Sequence, residues 1–136
     1  MTDGPVPRPT PETLPFWEGT AAGELRIQRC TPCDEFYFYP RPFCPKCLSS
    51  DVAWEKVSGN ATLASYNINY RPGPAFSSQD PLVIALVELD EGPRMMTNIV
   101  GVPAEPEALP LGMRLTVGFQ PRGDQFLPVF SPAEGA

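Results

Sequence analysis

Histidine is missing from all 136 residues, and that gap excludes more chemistry than any motif in the chain supplies. Without an imidazole the chain cannot build a Ser-His-Asp or Cys-His arrangement, a histidine general base or a His-ligated hydrolytic zinc. Acidic bases remain open, yet no paired-carboxylate motif stands out among the 16 Asp and Glu side chains. Positive charge is scarce as well: ten Lys and Arg are scattered through a chain of net charge -6 and pI ≈ 4.5. A nucleic-acid binder draws most of its affinity from cations set against phosphate, so that footprint is lacking. Long apolar runs are absent too. The stretch Leu82–Val87 is far short of the roughly 20 residues that span a bilayer, and no basic amphipathic helix offers a surface anchor. No signal peptide opens at Met1. We expect a soluble, cytoplasmic protein that does not catalyse by itself and binds neither nucleic acid nor membrane.

What is present in quantity is proline, 19 residues of it, and proline interrupts helices while suiting turns and sheet edges. A hydrophobic content of 42% is enough for a core, so the expectation is a folded, mainly β protein. Its most specific feature is a set of four cysteines in two close pairs, Cys30-Thr-Pro-Cys33 and Cys44-Pro-Lys-Cys47, with no cysteine left over. Ten residues lie between the pairs, enough for a hairpin that brings the second knuckle back to the first. That spacing predicts a tetrahedral four-thiolate site holding structural zinc, coordinatively closed and so unable to activate water. Thiolates also hold iron in the rubredoxin manner, which keeps an electron carrier among the readings. Two disulfides are a weaker alternative, because a Cys-x-x-Cys pair closes poorly on itself. A redox dithiol is weaker still, since no thioredoxin-like unit surrounds either pair.

Along the chain, residues 1–10 are Pro-rich, and Thr13 is placed to cap a short helix running to about Ala22. Pro15 sits in its first turn and Gly23 stops it. Phe16 and Trp17 either pack on the cysteine ribbon or dock a second subunit. Leu25 and Ile27 alternate with polar neighbours in a strand entering the first knuckle, and the run Phe36–Tyr39 covers the metal site. Packing around a small metal core is the expected role of Tyr37 and Tyr39, with base stacking as the alternative. From residue 51 the pattern becomes strands and turns. In Ala61–Tyr70, Ala64, Tyr66, Ile68 and Tyr70 share one face, opposite Ser65, Asn67 and Asn69. Leu82–Leu89 and Arg94–Val100 read as a hairpin around Asp90-Glu-Gly-Pro93, followed by a strand through Leu115, Val117 and Phe119. The last strand, Gln125–Phe130, carries Pro128 and so belongs at an edge or bulge. Five strands suit a small barrel of OB type. The expected division is a tail and helix at 1–23, a zinc ribbon at 24–52 and an OB-fold at 53–136.

The order of these features is itself informative. Pro15-Phe16-Trp17, Gly23-Glu-Leu25, the two Cys-x-x-Cys pairs, Pro40-Arg41, Val57-Ser-Gly59, Val87-Glu-Leu-Asp-Glu-Gly92, Thr97-Asn98 and Gly112-Met113 follow one another from about Leu14 to Phe130. The chain thereby resembles the acyl-CoA-associated family in which a rubredoxin-like zinc ribbon is fused to an OB-fold. The resemblance implies a non-catalytic companion of thiolase-superfamily enzymes, including thiolases, ketoacyl synthases and lipid-transfer-protein-like aldolases that shorten steroid side chains. The companion helps bind acyl-CoA within a hetero-oligomer such as a heterotetramer. Two departures stand out: Asp34 where the family usually has glycine, and Asn60-Ala61 where a further glycine is common. The long loop Tyr70–Ser77 offers Arg71 to a CoA phosphate and Phe76 to the thioester arm, or either to a partner. A solvated loop closing the barrel is the plain alternative. The competing function is a single-stranded nucleic-acid binder built on the same two folds.

Overall fold

The structure, a computed structural model, describes residues 6–70 and 81–133. One helix and eight strands are described. Helix α1 spans Leu14–Ala21 and buries Phe16, Gly19 and Thr20. Its C-terminus closes where Gly23 takes φ 76° and the Glu24 amide returns to the Gly19 carbonyl at 2.8 Å, a reversal that suits glycine. The expected cap is not made. Thr13 has helical backbone angles, and its Oγ1 accepts the Thr10 amide at 2.8 Å instead of an amide of the first turn. The two threonines build their own turn ahead of the helix, and Pro15, lacking an N–H, reduces the number of donors needing a cap.

Strands β1 (Arg26–Cys30), β2 (Glu35–Tyr37) and β3 (Val52–Lys56) form a small antiparallel sheet in the order β2-β1-β3. β1 is the centre of this ribbon. The second sheet holds β4 (Asn60–Asn69), β5 (Leu82–Leu89), β6 (Arg94–Asn98), β7 (Arg114–Arg122) and β8 (Gln125–Pro132), in the order β6-β5-β4-β7-β8. Its two outer strands then meet: Ile99 bridges Phe130 in parallel, and the Val100 amide donates to the Phe130 carbonyl at 2.9 Å. That contact nearly closes a five-stranded barrel, the expected OB arrangement, with Pro128 on a terminal strand as its missing amide requires.

Ribbon and barrel share one core. Leu25 and Ile27 of the ribbon lie in the same buried cluster as Val57, Leu63, Leu89, Leu115 and Phe130 of the barrel, and the Val57 amide donates to the Leu25 carbonyl at 2.9 Å. Residues 106–108 make a 3-10 turn that delivers Leu109, 1% exposed, into this cluster. Along β4 the alternation changes phase. Ala61 and Leu63 face the core, a register shift follows between Leu63 and Ser65, and from there Tyr66 and Ile68 are the half-buried residues while Ser65 and Asn67 are exposed. The shared face expected for Tyr66 and Ile68 is therefore present. Ala64 is the extra residue of a bulge, and Tyr70 stands 62% exposed. Among the described residues no helix is long and apolar enough to cross a membrane.

At the β5–β6 hairpin, Asp90 accepts two hydrogen bonds from the Arg114 guanidinium at 2.9 and 2.8 Å, and the same arginine donates to Thr62 Oγ1 at 3.0 Å. The guanidinium holds the Asp90 carboxyl below its ordinary value. A depressed folded-state pKa contributes stability above the unfolded value, near pH 4, and that contribution disappears as pH falls through the folded value. Both side chains are well exposed, so Asp90→Asn is expected to lower Tm at pH 7 by no more than about 2 °C and to have no effect near pH 2. Thermal melts of both proteins across that range check the sign.

Candidate metal centre and apolar groove

The two cysteine pairs meet at the end of the ribbon. Cys30 closes β1, Cys33 sits in the turn to β2, and Cys44 and Cys47 lie in the connection from β2 to β3. All four sulfurs fall within 4.8 Å of one another, with Cys30 and Cys47 at 3.5 Å and Cys33 and Cys44 at 4.0 Å. A tetrahedron of sulfurs each about 2.3 Å from a metal has edges of about 3.8 Å, so the cluster has the size of a tetrahedral site. No pair stands at the roughly 2.05 Å of a disulfide, and all four cysteines are free.

The knuckles are built alike. In the first, the Cys33 amide donates to Cys30 Sγ at 3.4 Å and the Asp34 amide to the Cys30 carbonyl at 2.8 Å. In the second, the Lys46 amide donates to Cys44 Sγ at 3.3 Å and the Leu48 amide to the Cys44 carbonyl at 2.9 Å. In both, the residue after the second cysteine is forced into the left-handed region, Asp34 at φ 57° and Leu48 at φ 64°. This explains why glycine is favoured at position 34 and how aspartate is tolerated there: Asp34 Oδ1 accepts from Arg29 Nη1 at 2.6 Å, anchoring the turn.

Four sulfurs this close cannot all ionise without a compensating cation. Contact with Cys47, then Cys30 and burial, pushes the Cys33 thiol up to about 12. Burial, above all, raises Cys30. The backbone amide of Cys47, with that of Lys46, draws Cys44 down to about 7. Cys44 is thus drawn toward the thiolate, and a divalent ion relieves the crowding that keeps Cys30 and Cys33 protonated. The four donors fit zinc, and four sulfur ligands leave no coordination position for substrate.

A second feature lies between α1, the end of β2, and strands β5, β6 and β8. It is an open groove of about 410 Å³ walled by Phe16, Trp17, Phe38, Tyr39, Met95 and Met96, with Leu127 and Pro128 on its far side. Its few polar groups are engaged by the protein itself: Thr97 Oγ1 donates to the Pro128 carbonyl at 3.1 Å, and Asn98 Nδ2 to the Val83 carbonyl at 3.0 Å. The walls are therefore apolar in effect. Phe16 meets Trp17 edge-on at 4.9 Å and Phe38 at 5.7 Å, so the three rings support one wall of the groove with Phe16 the buried one. Tyr37 is buried, as expected of a packing residue, whereas Tyr39 is 57% exposed at the groove's rim. Sequence reading found these aromatics but not the groove, because its other walls come from strands much later in the chain, at Met95, Met96, Leu127 and Pro128.

Among the described residues, Arg26, Arg29, Lys46, Arg94 and Arg114 each face a carboxylate, which disperses the positive charge a nucleic-acid backbone would need. Arg71 and Phe76 lie outside the described residues.

Comparison with known proteins gives two family matches that adjoin. Residues 17–53 match the ChsH2 rubredoxin-like zinc ribbon domain, and residues 54–120 the ChsH2 C-terminal OB-fold domain. The probable enoyl-CoA hydratase alpha subunit of Thermomonospora curvata is 38% identical over 87% of this chain and 37% of its own length. The 3-oxo-4,17-pregnadiene-20-carboxyl-CoA hydratase alpha subunit of Mycobacterium tuberculosis is 32% identical over 94% of this chain and 40% of its own. The chain thus spans well under half of either hydratase subunit. A DUF35 domain-containing scaffold protein of Methanothermobacter thermautotrophicus is 31% identical over 71% of both chains. Among solved structures, a chain of the Ltp2-ChsH2(DUF35) aldolase superposes with TM-score 0.81 at 34% identity, over 93% of this chain and 98% of that one.

Proposed function

Because this chain belongs to the ChsH2 family of DUF35 proteins, we propose that it is a non-catalytic accessory subunit of a thiolase-superfamily enzyme, a thiolase or a retro-aldolase. The observation that carries the reading is the likeness to a whole chain of an aldolase assembly, over 98% of that chain's length. The chemistry of the residues agrees. A chain with no histidine and four thiolates turned to one metal has little to offer as acid, base or nucleophile. It offers shape instead, a rigid ribbon beside an apolar groove.

The partner holds the catalytic residues, and the substrate is an acyl-CoA carrying a lipid or steroid side chain. The assembly is a hetero-oligomer such as a heterotetramer, and its place is the cytoplasm. Cys30, Cys33, Cys44 and Cys47 hold zinc, which when bound fixes both knuckles and so sets the position of Phe38 and Tyr39 on the groove. Arg71 and Phe76 belong to the loop offered to the CoA or to the partner.

The test is capture of the tagged chain from its native host, with mass spectrometry of what binds and metal analysis of the same eluate. A thiolase-superfamily protein in stoichiometric amount, with about one zinc per chain, is the expected result. A chain recovered alone at near-native expression, or retained on nucleic acid in a salt-dependent way, overturns the reading.

A further inference from the structure

The four sulfur ligands are not equally open. Cys30 and Cys44 are 0% and 3% exposed, Cys33 is half-buried, and Cys47 stands in solvent. Leu48, the next residue, is 75% exposed, so the outer face of the second knuckle is uncovered. Backbone amides divide the sulfurs along the same line. The Cys33 amide donates to Cys30 Sγ, and those of Lys46 and Cys47 to Cys44 Sγ. Among the described residues no backbone amide donates to Cys47 Sγ. In a metal-loaded site all four sulfurs are thiolates, so ionisation does not separate them. Access and electron density do. An amide donor draws charge from a thiolate and burial keeps oxidants away, and Cys47 escapes both.

The second knuckle is also the part that depends on its sulfurs to stay in place. Its amide bonds are internal, Cys44 to the Ser49 carbonyl and Leu48 to the Cys44 carbonyl, both at 2.9 Å. It reaches the first knuckle and its strands through the cysteines and through the exposed pair of Lys46 with Glu35. A covalent bridge from Cys47 to Cys30, at the end of β1, would hold it there without metal. From this asymmetry we propose that Cys47 is an oxidation site: a small peroxide reacts there, a disulfide closes to Cys30, and the centre gives up its metal while the knuckle stays attached.

The chemistry balances with hydrogen peroxide as oxidant. The Cys47 thiolate attacks one peroxide oxygen; an S–O bond forms, the O–O bond breaks and hydroxide leaves, giving a sulfenic acid. The Cys30 thiolate, 3.5 Å away, attacks that sulfur; an S–S bond forms, the S–O bond breaks and a second hydroxide leaves. Two thiolates lose two electrons and one peroxide gains them. Cys33 and Cys44 remain, too few for a structural site that takes four ligands.

The experiment adds hydrogen peroxide stepwise, up to one equivalent, to the zinc-loaded full chain while a chromogenic chelator reads zinc release. Remaining thiols are then blocked and the chain is cut with trypsin. Cleavage after Lys46 puts Cys47 on a different peptide from the other three, because the Arg41-Pro42 bond resists the protease. Release in proportion to peroxide is expected, with Cys47 joined to Cys30 in the first disulfide and zinc binding restored by a thiol reductant. Cys47→His keeps a ligand and removes the reactive thiol. It is expected to retain about one zinc per chain and to release it roughly tenfold more slowly, whereas Cys33→His follows the parent. A first disulfide that omits Cys47 or joins it to another cysteine overturns the proposal, as does a zinc-loaded Cys47→His that releases as fast as the parent. If Cys47→His does not hold zinc, the disulfide mapped in the parent chain decides alone.

Discussion

Cys30→Ser is expected to empty the metal site and to loosen the barrel as well as the ribbon. Cys30 is fully buried at the end of the central ribbon strand, and its Sγ is among the four that converge. Serine offers a hard hydroxyl in place of a thiolate, leaving three sulfur ligands for an ion that structural sites hold with four. Free energy of metal binding in such sites is free energy of folding, so its loss falls on the ribbon first. It does not stop there. Leu25 and Ile27, on the same strand, are part of the barrel's core cluster, and Val57 hangs from the Leu25 carbonyl. We expect bound zinc to drop from about one per chain to near zero and Tm to fall by at least about 10 °C. Metal analysis and calorimetry on the same preparation measure both, and chelator treatment of the parent protein should reproduce the shift. A Tm unchanged after proven loss of metal would show that the site does not hold the fold. Iron in place of zinc would announce itself as a red protein with visible absorption.

Gly59→Ala is the second large effect. Gly59 joins ribbon to barrel at φ 80°, where an L side chain is strained, and a Cβ there would stand 2.4 Å from Val117 Cγ1. Its carbonyl accepts the Val117 amide at 2.9 Å, so the backbone cannot back away without losing that bond. Left-handed strain of about 1–2 kcal/mol and overpacking of about 1–3 kcal/mol together suggest a loss near 3 kcal/mol. Denaturant unfolding checks the figure. Adding Val117→Ala relieves the clash but not the strained angle, so the double variant should recover part of the loss, a coupling that a cycle of the four proteins isolates. A Gly59→Ala protein within about 0.5 kcal/mol of the parent would mean that the joint is not fixed by this contact.

Much of this was legible in residue order because the physics involved is local. Cys-x-x-Cys places two sulfurs on one knuckle whatever surrounds it, and the Asp90-Glu-Gly-Pro93 turn pairs β5 with β6 as the alternating residues on either side require. The places where local reading fell short each involve a choice between partners. Thr13 chose Thr10 over the helix amides, a competition that capping statistics do not settle. The bulge at Ala64 reverses the alternation halfway along β4, which periodicity alone cannot detect, since both halves obey period two. Leu48 carries a left-handed angle with none of the residue preference that usually signals one; only its equivalence to Asp34 in the other knuckle accounts for it.

The sequence by itself determined which four thiolates can meet at one point, the absence of imidazole chemistry and the kind of fold, because each depends on which residues exist and on how they are spaced along the chain. Tertiary structure alone decided where function has room to occur. The apolar groove needs Trp17, Tyr39, Met96 and Leu127 brought together from separate elements. Cavities arise where elements distant in the chain fail to touch. Their walls are set by packing distance rather than by any pattern along the backbone, so they emerge only once the ribbon has docked on the barrel.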